Sequence, residues 1–260
     1  MKLILVFFFT IFFQLIGLYG QTAKDTINEV DENGLKNGYW IKLYPNGNID
    51  YKGYFVKGRP AKIFKRYYKN GNIKSSFIYF DNNKACAAHI YGADSVLIAT
   101  GLYRKEKRDS TWKYYRKNGE LVSDENYRIG IKYGMSNTYY YNNKLYERFE
   151  YKNGKKDGVW KQYFEKGGLK IEGHYQNDKL QGKAIFYYPN GNVDHEGFYK
   201  DNVKNDAWNY YDERGNLLIQ QRFDMGILKN KDEVEEYILQ KRKKNGLDNR
   251  GTREELRSIR

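Results

Sequence analysis

The sequence repeats itself every 24 residues, in eight copies that run from about residue 34 to residue 226. One column of equivalent positions is aromatic in all eight copies, from Phe55 to Phe223, and another is aliphatic in all eight, from Ile49 to Leu217. A fixed period of this length predicts a repeat array in which each unit packs mainly on its neighbours. A further column, called here the tyrosine column, is tyrosine in seven copies: Tyr67, Tyr91, Tyr115, Tyr139, Tyr163, Tyr187 and Tyr211.

Each unit has the pattern of a β-hairpin. Apolar and polar residues alternate on both sides of a turn, as in residues 158–175, and the turn is often Asn-Gly, as at Asn46-Gly47. Asn-Gly between alternating segments favours a hairpin because both residues tolerate a positive φ. Pro45 lacks an N–H, which favours a four-residue loop over a two-residue loop. The predicted fold class is all-β: an elongated, meandering antiparallel sheet of about eight 24-residue hairpins, with a C-terminal helix.

The hairpin register places some bulky rings opposite small residues. Trp40 falls opposite Gly53 and Trp160 opposite Gly173, so that a ring can lie over a residue without a side chain. The other two tryptophans fall opposite polar residues and do not follow this rule. Alternation along the strands puts the tryptophans on one face and the tyrosine column on the other. The predicted structural positions of the repeat are Gly53, Gly101, Gly173, Gly197, Trp40, Trp112, Trp160 and Trp208.

One unit departs from the pattern, between Asn82 and Tyr103. It keeps Tyr91 and Leu97 in phase but begins with an Ala-rich stretch at residues 85–88. The preserved phase indicates a drifted repeat rather than an inserted loop. The Ala-rich stretch is where we expect the regularity of the sheet to fail.

The beginning of the chain differs in kind from the rest. Lys2 precedes an apolar run that ends near Gly20, and a polar segment follows. This pattern predicts a signal peptide at residues 1–20, a linker at residues 21–33 and an extracytoplasmic location, whether periplasmic, envelope-associated or secreted. The alternative is an uncleaved membrane anchor, since the apolar run is just long enough to span a bilayer.

The segment from residue 157 to residue 201 resembles the MORN repeat in its bacterial variant form. Residues 188–191, the later Gly197 and the aromatic Tyr199 match the tyrosine, turn, glycine and ring of that motif. The resemblance recurs in phase over residues 34–226. It implies an extended all-β sheet with a binding or scaffolding role toward proteins or membranes, and no catalytic residues. Proteins built this way are similar to the group called YwqK-type antitoxins.

The sequence shows no convergent set of catalytic or metal-binding residues. It has three histidines, His89, His174 and His195, and the last two fall on opposite faces of the predicted sheet. His195 stands between two acidic residues, but neighbours along a strand point apart, so we expect a solvated strand position. Cys86, the single cysteine, can form no internal disulfide and lacks the partners of a zinc site. We therefore predict no enzyme, no catalytic residue, no metal site and no cofactor.

The formal net charge of +14 bears on the choice of partner. Lysines and arginines are scattered through turns and outward strand positions, for example Lys57, Lys65 and Arg108. The first interpretation is a soluble sheet whose lysines blunt its edges, since acidic residues are interspersed. The alternative is a basic face, interleaved with the tyrosine column, for an acidic protein, an anionic membrane or nucleic acid. Because the chain is predicted to be exported, nucleic acid is not an expected partner.

A separate element follows the array at residues 227–260. Residues 230–246 begin with an asparagine cap, carry acidic residues in the first turn and end in basic residues, which together predict a helix. Val234, Tyr237 and Ile238 lie on one side of this helix and are expected to cover the last hairpin and its open edge. The alternative is a basic helix that docks on a membrane.

These patterns predict an exported, non-enzymatic repeat protein that presents an extended surface to an unknown protein partner. The tyrosine column is the candidate interaction face. Two alternatives stay open. One is a module that binds anionic membrane surfaces, and the other is an antitoxin-like inhibitor of a toxin partner.

Overall fold

The computed structural model describes residues 27–82 and 84–246, which form one antiparallel sheet of 19 strands followed by a helix. The elements are β1 (Glu29–Val30), β2 (Lys36–Leu43), β3 (Ile49–Val56), β4 (Arg59–Tyr67), β5 (Ile73–Phe80), β6 (Ala85–Tyr91), β7 (Leu97–Arg104), β8 (Lys107–Tyr115), β9 (Leu121–Arg128), β10 (Ile131–Tyr139), β11 (Leu145–Lys152), β12 (Lys155–Tyr163), β13 (Leu169–Gln176), β14 (Lys179–Leu180), β15 (Gly182–Tyr187), β16 (Val193–Lys200), β17 (Val203–Tyr211), β18 (Leu217–Asp224), β19 (Ile227–Leu228) and α1 (Lys231–Lys244).

The predicted meander of hairpins is confirmed. Each strand pairs antiparallel with the next one along the chain, except that β14 and β15 both pair with β13 as successive parts of one strand. The predicted signal peptide at residues 1–20 and the end of the predicted tail, residues 247–260, lie outside the described residues. Within the predicted linker at residues 21–33, the short strand β1 pairs with β2, so this part of the segment belongs to the sheet.

The loop inside each hairpin is shorter than the four residues predicted at Pro45. The Tyr44 N–H donates to the Asn48 carbonyl (2.7 Å) and the Gly47 N–H to the Tyr44 carbonyl (2.9 Å), so the turn proper holds three residues. A bulge near the end of β2 compensates, and Trp40 still pairs with Gly53. The predicted register is therefore confirmed although the predicted loop length is wrong. The bulge recurs in the other seven hairpins, each time at the tyrosine column.

Successive hairpins are joined by tight two-residue turns. Asn153 and Gly154, for example, have φ values of 50° and 84°, which is the left-handed pair that a hairpin turn of this length requires. The drifted unit differs, because β5 and β6 are joined by residues 81–84 and pair without a bulge. Regularity thus fails around the Ala-rich stretch, as predicted, while the period of 24 is kept.

Alternation along the strands gives the sheet two unlike faces. We call the face that carries Trp40 and Phe64 the aromatic face, and the face that carries Lys52 and Lys65 the polar face. Along the middle of the aromatic face runs the central row, which contains all eight predicted structural positions. Its neighbouring members are register partners except at Gly101–Trp112, Gly173–Ala184 and Gly197–Trp208. Its members are Trp40, Gly53, Phe64, Phe77, Ala88, Gly101, Trp112, Glu125, Ser136, Phe149, Trp160, Gly173, Ala184, Gly197, Trp208 and Gln221.

The glycines of the central row make room for rings, though not always for the ring that was predicted. A Cβ atom on Gly173 would lie 3.1 Å from the Trp160 ring, which agrees with the prediction. A Cβ atom on Gly53 would instead collide with Phe64, on the next strand. The register confirms that Trp40 lies opposite Gly53, but the closest contact comes from the other neighbouring strand, which the hairpin pattern does not consider.

The two tryptophans that broke the predicted rule obey it with the preceding hairpin. A Cβ atom on Gly101 would overlap the Trp112 ring, and a Cβ atom on Gly197 would overlap the Trp208 ring. These two rings are among the largest fully buried side chains of the described residues, at 1% and 0% exposure. Each indole N–H donates to a main-chain carbonyl ten residues earlier, at 3.0 Å. Buried rings with a satisfied N–H anchor the single-layered sheet.

An asparagine side chain closes each end of the sheet. At the first edge, Asn28 Oδ1 accepts the Ile41 N–H (2.8 Å). At the last edge, Asn230 Oδ1 accepts the Arg222 N–H (2.8 Å) and its Nδ2 donates to the Gln220 carbonyl (2.9 Å). Asn230 is the N-cap residue of α1, as predicted, but its side chain makes no cap hydrogen bond. Its amide instead takes the place of one more strand.

Helix α1 covers the last hairpin, as predicted. Val234 and Ile238 are buried, Tyr237 is half-buried, and the helix contacts β18, where Phe223 is also buried. The apolar side that a membrane-docking helix would use therefore lies against the protein. Among the described residues, no helix is long and apolar enough to cross a membrane.

Candidate functional site

The tyrosine column forms one row along an edge of the polar face. Each of its seven members is the last residue of a strand and is half-buried. The rings lie over polar-face residues of the preceding strand, as where the Lys52 ammonium stands 5.6 Å from the centre of the Tyr67 ring. The tyrosine column thus lies on the face opposite the tryptophans, and seven equivalent rings are brought into register.

Polar neighbours fifteen residues earlier hold several of these rings. The Tyr139 hydroxyl donates to Asp124 Oδ2 (2.5 Å) and the Tyr211 hydroxyl to Glu196 Oε1 (3.2 Å). Burial and the bond to Asp124 raise the pKa of Tyr139 to about 12. The phenol therefore stays protonated at physiological pH and keeps donating. A ring fixed in this way loses little conformational freedom when a partner covers it.

A second set of tyrosines, which the sequence analysis missed, locks each turn to the next repeat. The hydroxyls of Tyr44, Tyr68, Tyr140 and Tyr188 donate to main-chain carbonyls of the following repeat at 2.8 to 2.9 Å. Tyr68, Tyr140 and Tyr188 each follow a tyrosine-column residue in the chain. Each donates to the carbonyl of the tyrosine-column residue in the next repeat. The signal in the sequence was the tyrosine doublet, as at Tyr67-Tyr68 and Tyr187-Tyr188.

The asparagines of the turns make similar bonds. Asn46 and Asn48 both donate to the Lys69 carbonyl of the next turn, at 2.9 and 2.8 Å. Asn190 and Asn192 repeat the arrangement on the Glu213 carbonyl. The Asn-Gly turn therefore has two roles, since its glycine supplies the turn geometry and its asparagines join neighbouring repeats. This ladder fixes the edge on which the tyrosine column lies.

Charges of both signs alternate on the C-terminal half of the polar face. Lys161 pairs with Glu172 (2.8 Å), and Lys183 pairs with Glu196 (2.9 Å). Near the middle, Arg148 donates to Asn137, which in turn donates to Asp124. Solvent-exposed pairs of this kind add little stability. They do give the row of tyrosines a border of oriented donors and acceptors.

The N-terminal part of the polar face is basic. Lys52 and Lys65 stand directly opposite each other on β3 and β4, and neither has an ion pair within the described residues. A hollow of about 330 Å³ lies here, lined by these lysines together with Lys62 and Tyr54. The Lys62 ammonium lies 4.3 Å from the centre of the Tyr54 ring. The polar face thus changes from basic to mixed charge along the array.

The aromatic face carries its own cations, in a column we call the capping column. Lys36 lies 4.7 to 5.1 Å from the ring centres of Trp40, Tyr51 and Phe55, and other members lie over rings in the same way. Arg108, predicted to point outward, is one of them. The described members are Lys36, Arg108, Lys132, Lys156 and Lys204, all at multiples of 24 residues from one another.

These cations close the aromatic face over its rings. Arg108 lies 5.0 Å from the Trp112 ring and also donates to the Tyr127 hydroxyl (3.2 Å). Burial lowers the pKa of both Lys156 and Lys204. Cation–π attraction offsets part of that desolvation cost. The long aliphatic parts of these lysine and arginine side chains therefore cover the aromatic face, as a second sheet covers the core of a β-sandwich.

The drifted unit interrupts this closure. A pocket of about 760 Å³ opens on the aromatic face between Pro60 and Tyr103. Phe77 and Tyr79 line it, and the Ala-rich stretch forms part of its wall. The Ala-rich stretch marks the irregular segment in the sequence, but no pattern there predicts the pocket.

The histidines do not converge. His174 is exposed on the polar face, whereas His195 lies on the aromatic face. The expected solvated position for His195 is wrong, because its ring is stacked between Phe186 (4.1 Å) and Tyr210 (5.2 Å), and burial lowers its pKa. Its Nδ1 lies 3.2 Å from the neighbouring Asp194 carboxylate. In the described part of the chain, no group of three or more His, Cys, Asp or Glu residues could hold a metal ion.

Comparison with known proteins supports the repeat resemblance. Three segments, residues 62–83, 156–177 and 180–201, match a family model described as the MORN repeat variant. MORN repeats are generally repeats that bind proteins or membranes. No curated protein matches the chain. The likeness to YwqK-type antitoxins stays a prediction.

Proposed function

We propose that this chain, which carries MORN repeats, is a non-enzymatic binding protein whose polar face meets a protein partner along the tyrosine column. The observation that carries the proposal is the row of seven half-buried tyrosines in one register. Tyrosine offers a large amphipathic contact with few rotatable bonds, and it is enriched in protein interfaces for that reason.

The surroundings of the row favour a protein over a polyanion. Lysine–glutamate pairs and the Arg148–Asn137–Asp124 chain present oriented groups of both signs beside the rings. A partner with its own mixture of charges can match this pattern, whereas a nucleic acid would meet repelling carboxylates. The N-terminal lysines suit an acidic region at one end of the same partner.

A membrane-surface role remains the second prediction from charge and family. The burial of Val234 and Ile238 argues against docking through α1, so binding would have to use the basic end of the sheet. Flotation with anionic vesicles that weakens with salt would support it. Export and antitoxin activity stay predictions, and a toxicity-rescue assay with a neighbouring toxin gene tests the latter.

The proposed face can be tested by crosslinking. A photo-crosslinking amino acid placed at Tyr163, on the polar face, should capture a partner from the envelope fraction. The same group at Tyr175, which lies on the aromatic face near Lys156, is the matched control and should not. A glutamate at each of Tyr115, Tyr139, Tyr163 and Tyr187 should release that partner, while Tyr141→Glu, at an exposed tyrosine outside the column, should keep it.

Folding of the quadruple variant is checked by circular dichroism before capture. If a folded quadruple variant retains every partner of the natural chain, the polar face is not the binding surface. Equal crosslinking from Tyr163 and Tyr175 would lead to the same conclusion.

A further inference from the structure

Three positions of the capping column carry no capping cation. One is Leu180, whose apolar side chain is itself buried. The other two lie in successive repeats. At the first of these positions stands Pro60, which has no cation, and at the second stands Lys84, which lies in the widened turn before β6. Of the cations that the structure describes, none lies over Phe77, Tyr79 or Tyr103. The rings of these units are therefore left without the cover that their counterparts have.

Small residues deepen the same place. Ala85 and Cys86 line the pocket, and both are buried. The missing side-chain volume and the missing cation together leave the 760 Å³ pocket. This volume lies within the usual range of ligand sites.

The rim of the pocket carries a consistent charge. Arg59, Lys84 and Lys105 line it, and none of them has an ion pair within the described residues. Glu106 is the single carboxylate among the lining residues. Burial raises the pKa of Tyr79 to about 12, so its hydroxyl adds no negative charge at neutral pH. A pocket with aromatic residues at its base and basic residues at its rim favours a ligand in which negative charges flank an apolar group.

We propose that this pocket is a second binding site, which takes an acidic peptide segment of a partner and receives one of its aromatic side chains. The inserted side chain would cover the Phe77, Tyr79 and Tyr103 rings as the lysine stems cover the rings of other repeats. The acidic residues on either side would meet Arg59, Lys84 and Lys105. The site lies on the opposite face from the tyrosine column, so it does not depend on the function proposed above.

The test uses the full chain and a fluorescein-labelled peptide with one phenylalanine flanked by aspartates. Binding is followed by fluorescence anisotropy. Pro60→Lys restores the cation that five other repeats have at this position. It should raise the Kd at least about tenfold, because the new lysine would cover the rings that the peptide side chain is proposed to contact. Arg59→Glu combined with Lys105→Glu should weaken binding as much, by reversing the rim charge.

Matched controls separate this site from general charge. Lys155 occupies the position of Arg59 in a repeat that Lys156 caps, so Lys155→Glu should change the Kd by less than about twofold. The quadruple glutamate variant of the tyrosine column should bind the peptide as the natural chain does. Peptides with serine in place of phenylalanine, or lysines in place of aspartates, should lose binding.

Four results would overturn the proposal. They are no binding of the acidic peptide, equal binding by a folded Pro60→Lys variant, equal binding of the basic peptide, and displacement by free phenylacetate at concentrations similar to those of unlabelled peptide. The last result would assign the pocket to a small aromatic anion instead.

Discussion

Gly101 lies directly beneath the indole ring of Trp112, although the two residues belong to adjacent hairpins. Trp112 is buried in this way without a second layer of protein above the sheet. The absent side chain of one repeat thus accommodates the largest side chain of the next. Contacts of this kind make neighbouring repeats fold together rather than singly.

Gly101→Ala should destabilise the array by about 1–3 kcal/mol, because the new Cβ atom overlaps a ring that cannot move freely. Gly173→Ala is the matched comparison, since its Cβ atom would stand 3.1 Å from the Trp160 ring and needs only a small shift. Urea unfolding followed by circular dichroism gives both midpoints. Equal losses in the two variants would mean that the ring contact is not the cause.

Phe164→Tyr should stabilise the chain. Phe164 occupies the position at which Tyr140 and Tyr188 donate to a carbonyl of the next repeat, and it has no hydroxyl to donate. A new bond to the Tyr187 carbonyl should add about 0.5–1.5 kcal/mol, and Tyr188→Phe should remove a similar amount. Urea midpoints measured side by side test this. A Phe164→Tyr variant of unchanged midpoint would show that the turn ladder adds no net stability.

Alkaline pH should weaken the fold. Burial raises the pKa values of Tyr79, Tyr139, Tyr188 and Tyr210 to about 12. The pKa of an unfolded tyrosine is about 10. A raised folded-state pKa gives stability that is complete below about pH 10 and is lost as the pH rises toward about 12. Lys204 acts in the opposite sense, because its pKa is lowered and its desolvation cost disappears as it loses its proton.

Phenolate absorbance measures this effect directly. The folded chain should ionise fewer tyrosines at about pH 11 than the chain in urea does. Tyr139→Phe should remove one of the late-titrating groups. Coincident titration curves for the folded and unfolded chains would contradict the expectation.

Asn230→Ala should open the last edge of the sheet. The Arg222 N–H and the Gln220 carbonyl lose their partners, while the helix keeps its full length. Hydrogen exchange at the Arg222 amide should speed up, and the chain should associate more at high concentration. Asn245→Ala, at the other end of α1, should change neither measurement. Unchanged exchange at Arg222 in the Asn230 variant would show that the amide does not close the edge.

The period of 24 residues fixed the strand order and register in advance, because a hairpin that repeats in phase admits few alternatives. The pairing of Trp40 with Gly53 follows from the hairpin pattern alone. The turn length does not follow from the pattern, because a four-residue loop and a three-residue loop with a bulge give the same pairing. The face of the tyrosine column was predictable for the same reason, because register determines face.

Contacts between hairpins were harder to predict. Gly53 and Gly101 make room for Phe64 and Trp112, and in each case the ring belongs to the neighbouring hairpin. His195 was misjudged in part for the same reason, because its ring stacks on Tyr210 of the next hairpin as well as on Phe186 of its own. A pattern read along one hairpin contains no information about the chain that lies beside it. The pocket at Pro60 was not predicted, because it results from the absence of a capping cation and the absence of a ring.

The turn ladder has a consequence for how such a chain can change its length. Tyr188 and Asn190 donate to main-chain carbonyls of the next repeat, and every residue type has that carbonyl. A duplicated unit would therefore find its acceptors in place whatever side chains it brought, and no compensating substitution would be required. The side chains of the polar face are then free to diverge while the joints between units stay the same. Gene duplication can thus lengthen the array first and give each copy its own binding preference later.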